Sequence, residues 1–276
     1  MESIDHFSLP RDLELTKIQG LPSTAYYIPN FVSQQEERVL LDKIATAPKP
    51  RWKQLTRRRL QTWPSDLIRD RLLDAPLPRW LEEPVVSRIL SLSCSASIPD
   101  DDHTIEQAIT LPHHIFARSP HQRPNHVLVN EYSPGVGIMA HKLKWREKSK
   151  AHPTQDGSAY WPVVCTVSLG SSLCLNLHRS MDDGALDPTP VWRILQEPRS
   201  LLITADDLYT AYLHGIADAD EDVDLSPDTI VNWSLLRDPL QYAQGRNHRQ
   251  TRTSLTYRDV LKVSKMGNRL DTMFKR

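Results

Sequence analysis

The amino-acid sequence predicts a mainly β protein with flanking helices, an α+β chain whose strands form a sandwich or a barrel. Short runs rich in β-branched and aromatic residues, separated by turn residues, recur across the second half of the chain. That spacing is typical of sandwiches and barrels, whereas βαβ units would place helical segments between the strands. The predicted strands are 25–28, 126–132, 163–169, 173–177, 200–204, 211–214 and 251–260.

Two helices are predicted in the first third of the chain. Ser33 is a good N-cap, and Glu36, three residues later, completes a capping-box pattern. The prolines that follow residue 47 end this helix. Residues 76–92 predict a second helix, which Pro84 should delay or break. The apolar positions at helical spacing in the first helix are Val39, Leu40 and Ile44.

One domain with extensions is the simplest organisation for a chain of this length. We expect an N-terminal extension over 1–21, the domain over 22–262 and a basic C-terminal tail over 263–276. Two segments interrupt the β pattern: 142–154 is polar and basic, and 217–250 opens with an acidic run. Both are too long and too polar for ordinary hairpins, so they are predicted as surface insertions.

Composition excludes several classes of protein. The formal net charge is +0, so the chain is not a polycation, and any binding of nucleic acid needs a local basic patch. Its three cysteines form no C-x-x-C pair and fit a reducing compartment. No apolar run approaches the roughly 20 residues of a membrane span, and the N-terminus lacks a basic, apolar leader. We therefore expect a soluble monomer of the nucleus and cytoplasm.

The last predicted strand alternates cleanly and places Arg252, Ser254, Thr256 and Arg258 on one face. Two arginines on an inward face need partners, because buried charge must be paired. Their Cα atoms would lie roughly 20 Å apart, which leaves space between the extended side chains for a short dicarboxylate. The alternative is an exposed edge strand with solvated arginines.

A second group of polar residues lies in and after an earlier strand. Asn130 and Tyr132 are two residues apart in that predicted strand, so they share a face. His141 follows Tyr132 beyond a Pro-Gly turn, and His214 comes much later, in another predicted strand. Each of these alone is a weak signal, because the chain has 11 histidines and most histidines serve the core or the surface.

Together, the motif N-x-Y-x-P-G, a histidine, a distant histidine and R-x-x-x-x-x-R resemble the AlkB family of Fe(II)/2-oxoglutarate-dependent dioxygenases. The resemblance spans roughly 22–262 and is strongest to one eukaryotic subgroup, the sixth AlkB homologue. It implies a double-stranded β-helix (jelly-roll) core that uses Fe(II), 2-oxoglutarate and O2. It also implies oxidative dealkylation of nucleic acid, in which an N-methyl group is hydroxylated and released as formaldehyde. The similar flanking stretches begin at Tyr27, Ala47, Asn125, Ser168 and Glu197.

The resemblance also assigns roles residue by residue. His141 and His214 match the two histidines of a 2-His-1-carboxylate iron site, and Asp156 is the candidate for the carboxylate. No catalytic side chain beyond the metal and co-substrate ligands is implied. The residues that match the 2-oxoglutarate site are Asn130, Tyr132, Arg252 and Arg258.

The carboxylate is where this sequence departs from the family, which has H-x-D. Leu143 stands at the position of the aspartate, and the D-G pair with its downstream aromatic residue and proline reappears at Asp156. Residues 142–154 therefore look inserted. Either the insert loops out and Asp156 still reaches the metal, or the iron site is damaged; His152 is a competing ligand. The insert could also be a gene-model artefact such as a retained intron.

Three functions stay open on the sequence alone: dealkylation of nucleic acid, a dioxygenase acting on a protein or small molecule, and a non-catalytic binding protein on this fold. The neutral net charge motivates the second, and the split H-x-D motif motivates the third. Arg57, Arg58 and Arg59, beside Trp52 and Trp63, are candidates for contact with nucleic acid. The alternative is that these arginines form a solvated basic helix end.

Overall fold

The computed structural model describes residues 9–22, 24–94, 114–142, 159–179, 187–205, 208 and 212–264, with the backbone alone for residues 141–142. Its strands are β1 (Ala25–Ile28), β2 (Lys53–Gln54), β3 (Arg59–Trp63), β4 (Leu72–Leu73), β5 (His126–Tyr132), β6 (Ile138–Lys142), β7 (Val163–Leu169), β8 (Leu173–His178), β9 (Trp192–Gln196), β10 (Leu201–Ala205), β11 (Leu213–Ile216), β12 (Glu221–Asp222), β13 (Asn247–His248), β14 (Arg252–Arg258) and β15 (Val263–Ser264). Its helices are α1 (Gln34–Ala45), α2 (Arg79–Leu81), a π-helical turn (Glu82–Val86), α3 (Ser87–Ser91), and 3-10 turns at Leu13–Thr16, Lys49–Arg51, Trp233–Leu235 and Pro239–Tyr242.

Within the described ranges the strands form two large antiparallel sheets. The larger sheet has seven strands in the order β1-β10-β7-β14-β5-β3-β2, and the smaller has four in the order β6-β11-β8-β9. From β5 onward the chain crosses repeatedly between them, because β5, β7, β10 and β14 lie in the larger sheet and β6, β8, β9 and β11 in the smaller. This interleaving forms a double-stranded β-helix, so the predicted jelly-roll core is confirmed.

Alternation along the strands gives the larger sheet two different faces. Val127 and Val129 of β5, and Leu255 and Tyr257 of β14, are fully buried in the main apolar core with the helices. The Tyr257 hydroxyl donates a hydrogen bond to the Leu81 carbonyl (3.0 Å), which ties the sheet to α2. The residues between them face the other way. The core therefore occupies one face of the sheet and leaves the opposite face for a site.

Helix α1 begins as predicted, with Ser33 as N-cap in a capping box closed by Glu36. Leu40 is buried, but Val39 is exposed, contrary to the prediction. The inner face runs through Glu37 instead, at the i, i+3, i+7 spacing that one side of a helix follows.

The second predicted helix is present but broken. Between α2 and α3, Glu83 adopts an extended conformation (φ −107°, ψ 130°) inside the π-helical turn. Glu83 precedes Pro84, and a proline ring disfavours the α conformation at the residue before it. The break therefore lies where the proline predicted it.

Segment 217–250, predicted as a surface insertion, contributes to a second core cluster. Its residues Leu225, Ile230 and Tyr242 are almost completely buried, in one cluster with Cys174 and Ile194 of the smaller sheet. These apolar residues are scattered among charged ones, so the average polarity of the segment concealed them. The segment packs against the fold and covers part of it.

The acidic run at the start of segment 217–250 is bound by partners within the chain. Asp218 accepts a hydrogen bond from the Gly137 N–H (2.7 Å) and forms an ion pair with Arg57. Asp222 is buried and forms an ion pair with Arg249 (2.5 Å), whose side chain is also buried. The acidic residues thus anchor the segment to the turn before β6 and to the residues that lead into β14.

Other parts of the chain also differ from the prediction. Strands β6 and β9 were not predicted, and the helix end proposed at Arg57–Arg59 is wrong, because Arg59 begins β3. There Arg59 lies opposite Glu131 of β5, so pairing with a distant strand outweighs local propensity. In the predicted N-terminal extension, Leu13 and Ile18 are buried. No helix among the described residues combines the length and the apolar character needed to cross a membrane.

Candidate active site

A cavity of about 270 Å³ lies between the two sheets. Strands β5, β7, β10 and β14 of the larger sheet contribute to its wall, as do β6, β8, β9 and β11 of the smaller. Its charged and strongly polar lining residues are Arg58, Asn130, Tyr132, Gln196, His214, Arg252 and Arg258.

Strand β14 supplies one wall of the cavity. Arg252, Ser254, Thr256 and Arg258 all line it, as the alternation of the sequence predicts. The strand lies between β7 and β5, in the interior of the larger sheet. The two arginines are 3% and 6% exposed, so the alternative of an exposed edge strand with solvated arginines is wrong.

Arg252 is a buried cation held by neutral groups. Its Nη2 donates hydrogen bonds to Ser168 Oγ (2.8 Å) and Gln196 Oε1 (3.0 Å). Its Nε is buried and has no hydrogen-bond partner among the described residues. Burial lowers the pKa of the Arg252 guanidinium to about 10. The neighbouring carboxylate, Asp222, is already bound by Arg249, so it does not neutralise Arg252 directly.

Arg258 lies at the other end of β14 under an aromatic ring. Its guanidinium carbon is 3.8 Å from the centroid of the Tyr160 ring. His126 Nε2 lies 3.0 Å from the Ser65 carbonyl, which can only accept, so this nitrogen carries the proton. Burial lowers the pKa of His126 to about 4, so the ring is neutral and its Nδ1 accepts from the Tyr160 hydroxyl (3.2 Å). His126 thus orients the ring that covers Arg258.

Asn130 and Tyr132 reach the cavity from the neighbouring strand β5. In the register of β5 and β14, Tyr132 lies opposite Arg252 and Asn130 opposite Ser254. The Arg252 guanidinium carbon is 5.8 Å from the centre of the Tyr132 ring. Burial raises the pKa of Tyr132, which keeps its hydroxyl protonated as a hydrogen-bond donor. The four residues predicted for the 2-oxoglutarate site therefore line one cavity.

The two histidines predicted as metal ligands lie on neighbouring strands of the smaller sheet. His214 of β11 is buried and lines the cavity, and its backbone lies opposite that of His141 in β6. Asp156, the candidate carboxylate, and His152, its competitor, lie outside the described residues, as does most of the predicted insertion 142–154. No group of three or more metal-ligating side chains occurs in the part of the chain that the structure describes.

The three consecutive arginines have different environments. Arg57 forms an ion pair with Asp218, and Arg59 forms a two-pronged one with Glu131 (2.6 and 3.0 Å). Arg58 lines the cavity, with its Nε 3.5 Å from the Asn130 side-chain oxygen.

The two tryptophans beside these arginines each have one ring face occupied. The Arg59 guanidinium carbon lies 4.2 Å from the centre of the Trp52 ring. Arg51 lies at the same distance from the Trp63 ring, and Trp63 also packs edge-on against Trp80. Those covered faces cannot stack on a base.

Sequence reasoning missed the residues that hold the two arginines. Ser168 and Gln196 belong to β7 and β9. Tyr160 contacts Arg258, and His126 bonds to the Tyr160 hydroxyl. Ser168 begins one of the stretches that resemble the family, but its local sequence pattern did not indicate a partner of Arg252. Only the pairing of the strands brings these side chains to the cavity.

The described residues fit a carboxylate-bearing co-substrate. Among the described residues the buried Arg252 guanidinium has one N–H without an acceptor and contacts no carboxylate. Such a group is costly unless a ligand supplies the acceptor. An α-keto dicarboxylate supplies carboxylate oxygens, and guanidinium groups bind these through charge-assisted hydrogen bonds. The opposed register of the two histidines fits their prediction as ligands of one metal ion.

The sequence and the fold are similar to those of several known proteins. No protein-family model matches the sequence. A probable RNA/DNA demethylase, ALKBH6 of Danio rerio, is 36% identical over 258 residues, which cover 91% of this chain and 92% of that protein. The structure of OsALKBH1 has a TM-score of 0.48 at 14% identity and covers 87% of this chain and 100% of its own. A 2OG-Fe(II) oxygenase-family oxidoreductase from Burkholderia pseudomallei has a TM-score of 0.43 at 10% identity, with 87% and 88% covered. The 36% identity between this chain and the Danio rerio protein extends over nearly the whole of both sequences. This chain therefore belongs to the AlkB family of Fe(II)- and 2-oxoglutarate-dependent dioxygenases.

Proposed function

We propose that this chain removes N-methyl groups from nucleic acid by oxidation, with Fe(II), 2-oxoglutarate and O2. The observation that carries the proposal is the buried Arg252, which has no carboxylate partner among the described residues and lies in the same cavity as His214. The 36% identity to a probable RNA/DNA demethylase supports nucleic acid as the substrate. In this reaction 2-oxoglutarate is decarboxylated to succinate while the methyl carbon is hydroxylated. The hydroxymethyl product then loses formaldehyde and restores the base.

The residues of β5 and β14 hold the co-substrate in this proposal. Arg252 and Arg258 bind its carboxylates, and Asn130 and Tyr132 orient it from the neighbouring strand. The Tyr132 hydroxyl, kept protonated by burial, donates to a carboxylate oxygen. Both arginines are almost completely buried, and a lower local dielectric strengthens charge-assisted contacts.

His141, His214 and Asp156 are the residues that would hold the iron. When bound, the metal supplies the oxygen-activating redox chemistry that the side chains of the protein lack. The contribution of the chain is to hold the backbones of His141 and His214 in opposed register on β6 and β11, with His214 lining the cavity that receives the co-substrate. The role of Asp156 depends on the path of the segment that precedes it.

Arg58 is the residue we assign to the substrate among the three consecutive arginines. Arg57 and Arg59 are bound by Asp218 and Glu131, which fixes the β2–β3 hairpin. No ion pair joins Arg58 to a carboxylate within the described ranges, and its side chain reaches the cavity. Its charge is therefore available to a phosphate group of the nucleic acid.

The nucleus and cytoplasm are the compartments we propose for this protein, and the monomer its state. All three cysteines are free thiols, and Cys165 and Cys174 are buried. Unpaired thiols agree with a reducing compartment. Both compartments contain nucleic acid, as the proposed activity requires.

Two successive measurements test the proposed function. Anaerobic titration of the protein with Fe(II) and 2-oxoglutarate should produce the visible metal-to-ligand charge-transfer band of the chelate. Formaldehyde release from N-methylated oligonucleotides, compared with methylated peptides, then identifies the substrate class. Arg252→Ala should abolish the band, whereas Arg246→Ala, which removes an exposed arginine, should keep it. Absence of the band in the unaltered protein would favour a non-catalytic binding protein.

A further inference from the structure

Three hydrogen bonds join Arg252 and two neutral side chains, Ser168 and Gln196, in a closed ring. The Arg252 Nη2 donates one hydrogen to Ser168 Oγ and the other to Gln196 Oε1. The Ser168 hydroxyl donates in turn to Gln196 Oε1 (3.2 Å). Two donors converge on the Gln196 amide, so its oxygen, not its nitrogen, must face them. Ser168 is on β7 and Gln196 on β9, so the ring joins the two sheets across the cavity.

This ring fixes the guanidinium in place without cancelling its charge. Arg252, Ser168 and Gln196 are all at most 3% exposed, so bulk solvent screens the cation little. A glutamate has nearly the shape of a glutamine and would form the ion pair that a buried arginine ordinarily requires. The chain has a glutamine at this position.

The next residue makes the contrast sharper. Glu197 follows Gln196, is 1% exposed, and accepts hydrogen bonds from the Tyr27 hydroxyl (3.0 Å) and the Arg237 and Asp238 N–H groups (2.9 and 3.2 Å). These donors are all neutral groups. A buried carboxylate and a buried guanidinium therefore lie near the same end of β9, and each is surrounded by neutral partners. No carboxylate of the described residues neutralises the arginine charge on the side that faces the cavity.

We propose that Gln196 is a positioning residue that orients Arg252 while leaving its charge for a carboxylate of the co-substrate, an inference that rests on the proposed function. Ser168 supports the same orientation from the larger sheet. Because the ligand supplies the missing negative charge, the cavity favours an anionic co-substrate over a neutral one. The ligand-free protein is correspondingly less stable than it would be with a carboxylate in the ring.

The inference predicts that Gln196→Glu weakens the binding of 2-oxoglutarate without lowering the stability of the fold. The new carboxylate pairs with Arg252, so the thermal midpoint of the ligand-free variant should equal or exceed that of the unaltered protein. The same carboxylate repels the co-substrate and occupies its cation, so affinity for 2-oxoglutarate should fall by about 100-fold or more. A residue that only supports the fold would lower both quantities or neither.

Calorimetric titration of the full chain with 2-oxoglutarate, under anaerobic conditions with Fe(II), measures the affinity. Thermal unfolding without ligand measures the stability. Gln244→Glu, an exposed position, adds the same charge away from the cavity and should leave both unchanged. Ser168→Ala, which removes one acceptor of Arg252, should weaken 2-oxoglutarate by about 10-fold, and it serves if Gln196→Glu does not fold.

The result that overturns the inference is a Gln196→Glu protein that binds 2-oxoglutarate as tightly as the unaltered chain, or one whose affinity and thermal midpoint fall together. Unchanged affinity for 2-oxoglutarate in the Ser168→Ala variant would also overturn the inference. If the unaltered protein does not bind 2-oxoglutarate, the proposed function itself is wrong. The two failures are distinguishable, because only the second is seen without any substitution.

Discussion

His141 and His214 lie directly opposite each other on the neighbouring antiparallel strands β6 and β11. The strands approach closely at this point, because a Cβ atom on Gly215 would lie 3.0 Å from the Ala140 Cα and Cβ. A glycine beside His214 therefore permits the pairing. Strand register thus brings the backbones of two residues far apart in sequence side by side, and His214 lines the cavity.

His214→Ala should weaken Fe(II) binding by at least about 100-fold, since even residues that only support metal ligands cost 10- to 100-fold. Anaerobic titration with Fe(II), followed by calorimetry, measures the change. His248→Ala is the control, because the His248 side chain is 81% exposed on another sheet. Equal affinities in the His214 variant and the unaltered protein would remove His214 from the metal site.

The same titration tests the carboxylate. Asp156→Ala should lose Fe(II) as completely as His214→Ala if the chain after the insertion returns to the cavity. Asp187→Ala is the control for this variant. The Asp187 carboxylate accepts a hydrogen bond from the Thr189 N–H (2.9 Å) in a loop and does not line the cavity. An Asp156 variant with full affinity would mean that another group completes the site.

Tyr160→Leu should weaken 2-oxoglutarate binding by about 10-fold, whereas Tyr160→Phe should weaken it less. The aromatic face 3.8 Å from the Arg258 guanidinium holds that cation, and a buried contact of this kind contributes up to about 2 kcal/mol. Phenylalanine keeps the face and loses only the hydroxyl that bonds to His126. Equal losses in the two variants would show that the hydroxyl, not the ring, positions Arg258.

Arg58→Ala should raise the KM for a methylated single-stranded oligonucleotide by about 10-fold and change kcat little, because one phosphate contact is lost. Arg57→Ala removes the same charge from the same hairpin and is the matched control, since Arg57 is bound to Asp218. Steady-state formaldehyde release at two salt concentrations gives both constants and the salt dependence. Similar effects of the two substitutions would indicate a general electrostatic contribution and no specific contact by Arg58.

The stability of the fold should fall as the pH decreases from about 6.5 to 4. Burial lowers the pKa of His126 from 6.5 to about 4, so the unfolded chain binds a proton that the folded chain resists. Stability from this group is complete above pH 6.5 and is lost as the pH falls through 4, by about 3 kcal/mol in total. Denaturant unfolding of the unaltered protein and of His126→Gln measures the difference, and identical pH profiles would contradict the assignment.

The sequence predicted the local part of the fold because local chemistry determines it. The capping box at Ser33 and the break before Pro84 depend on neighbouring residues alone. Arg252 and Arg258 share one face of β14 because side chains alternate between the two faces of a strand. By contrast, β9 and β6 lack a strong local pattern, and Arg59 lies in a strand because β5 pairs with it.

By itself the sequence determined the family, the jelly-roll class and the polar and charged residues that line the cavity. The order and spacing of these residues along the chain can be recognised without knowledge of their contacts. The tertiary structure alone decided how those charges are used. Arg252 bonds to Ser168 and Gln196 and contacts no carboxylate among the described residues. Arg57 and Arg59 form ion pairs, whereas Arg58 reaches the cavity. These outcomes depend on strands distant in sequence, because desolvation and pairing of a charge are set by whatever packs around it.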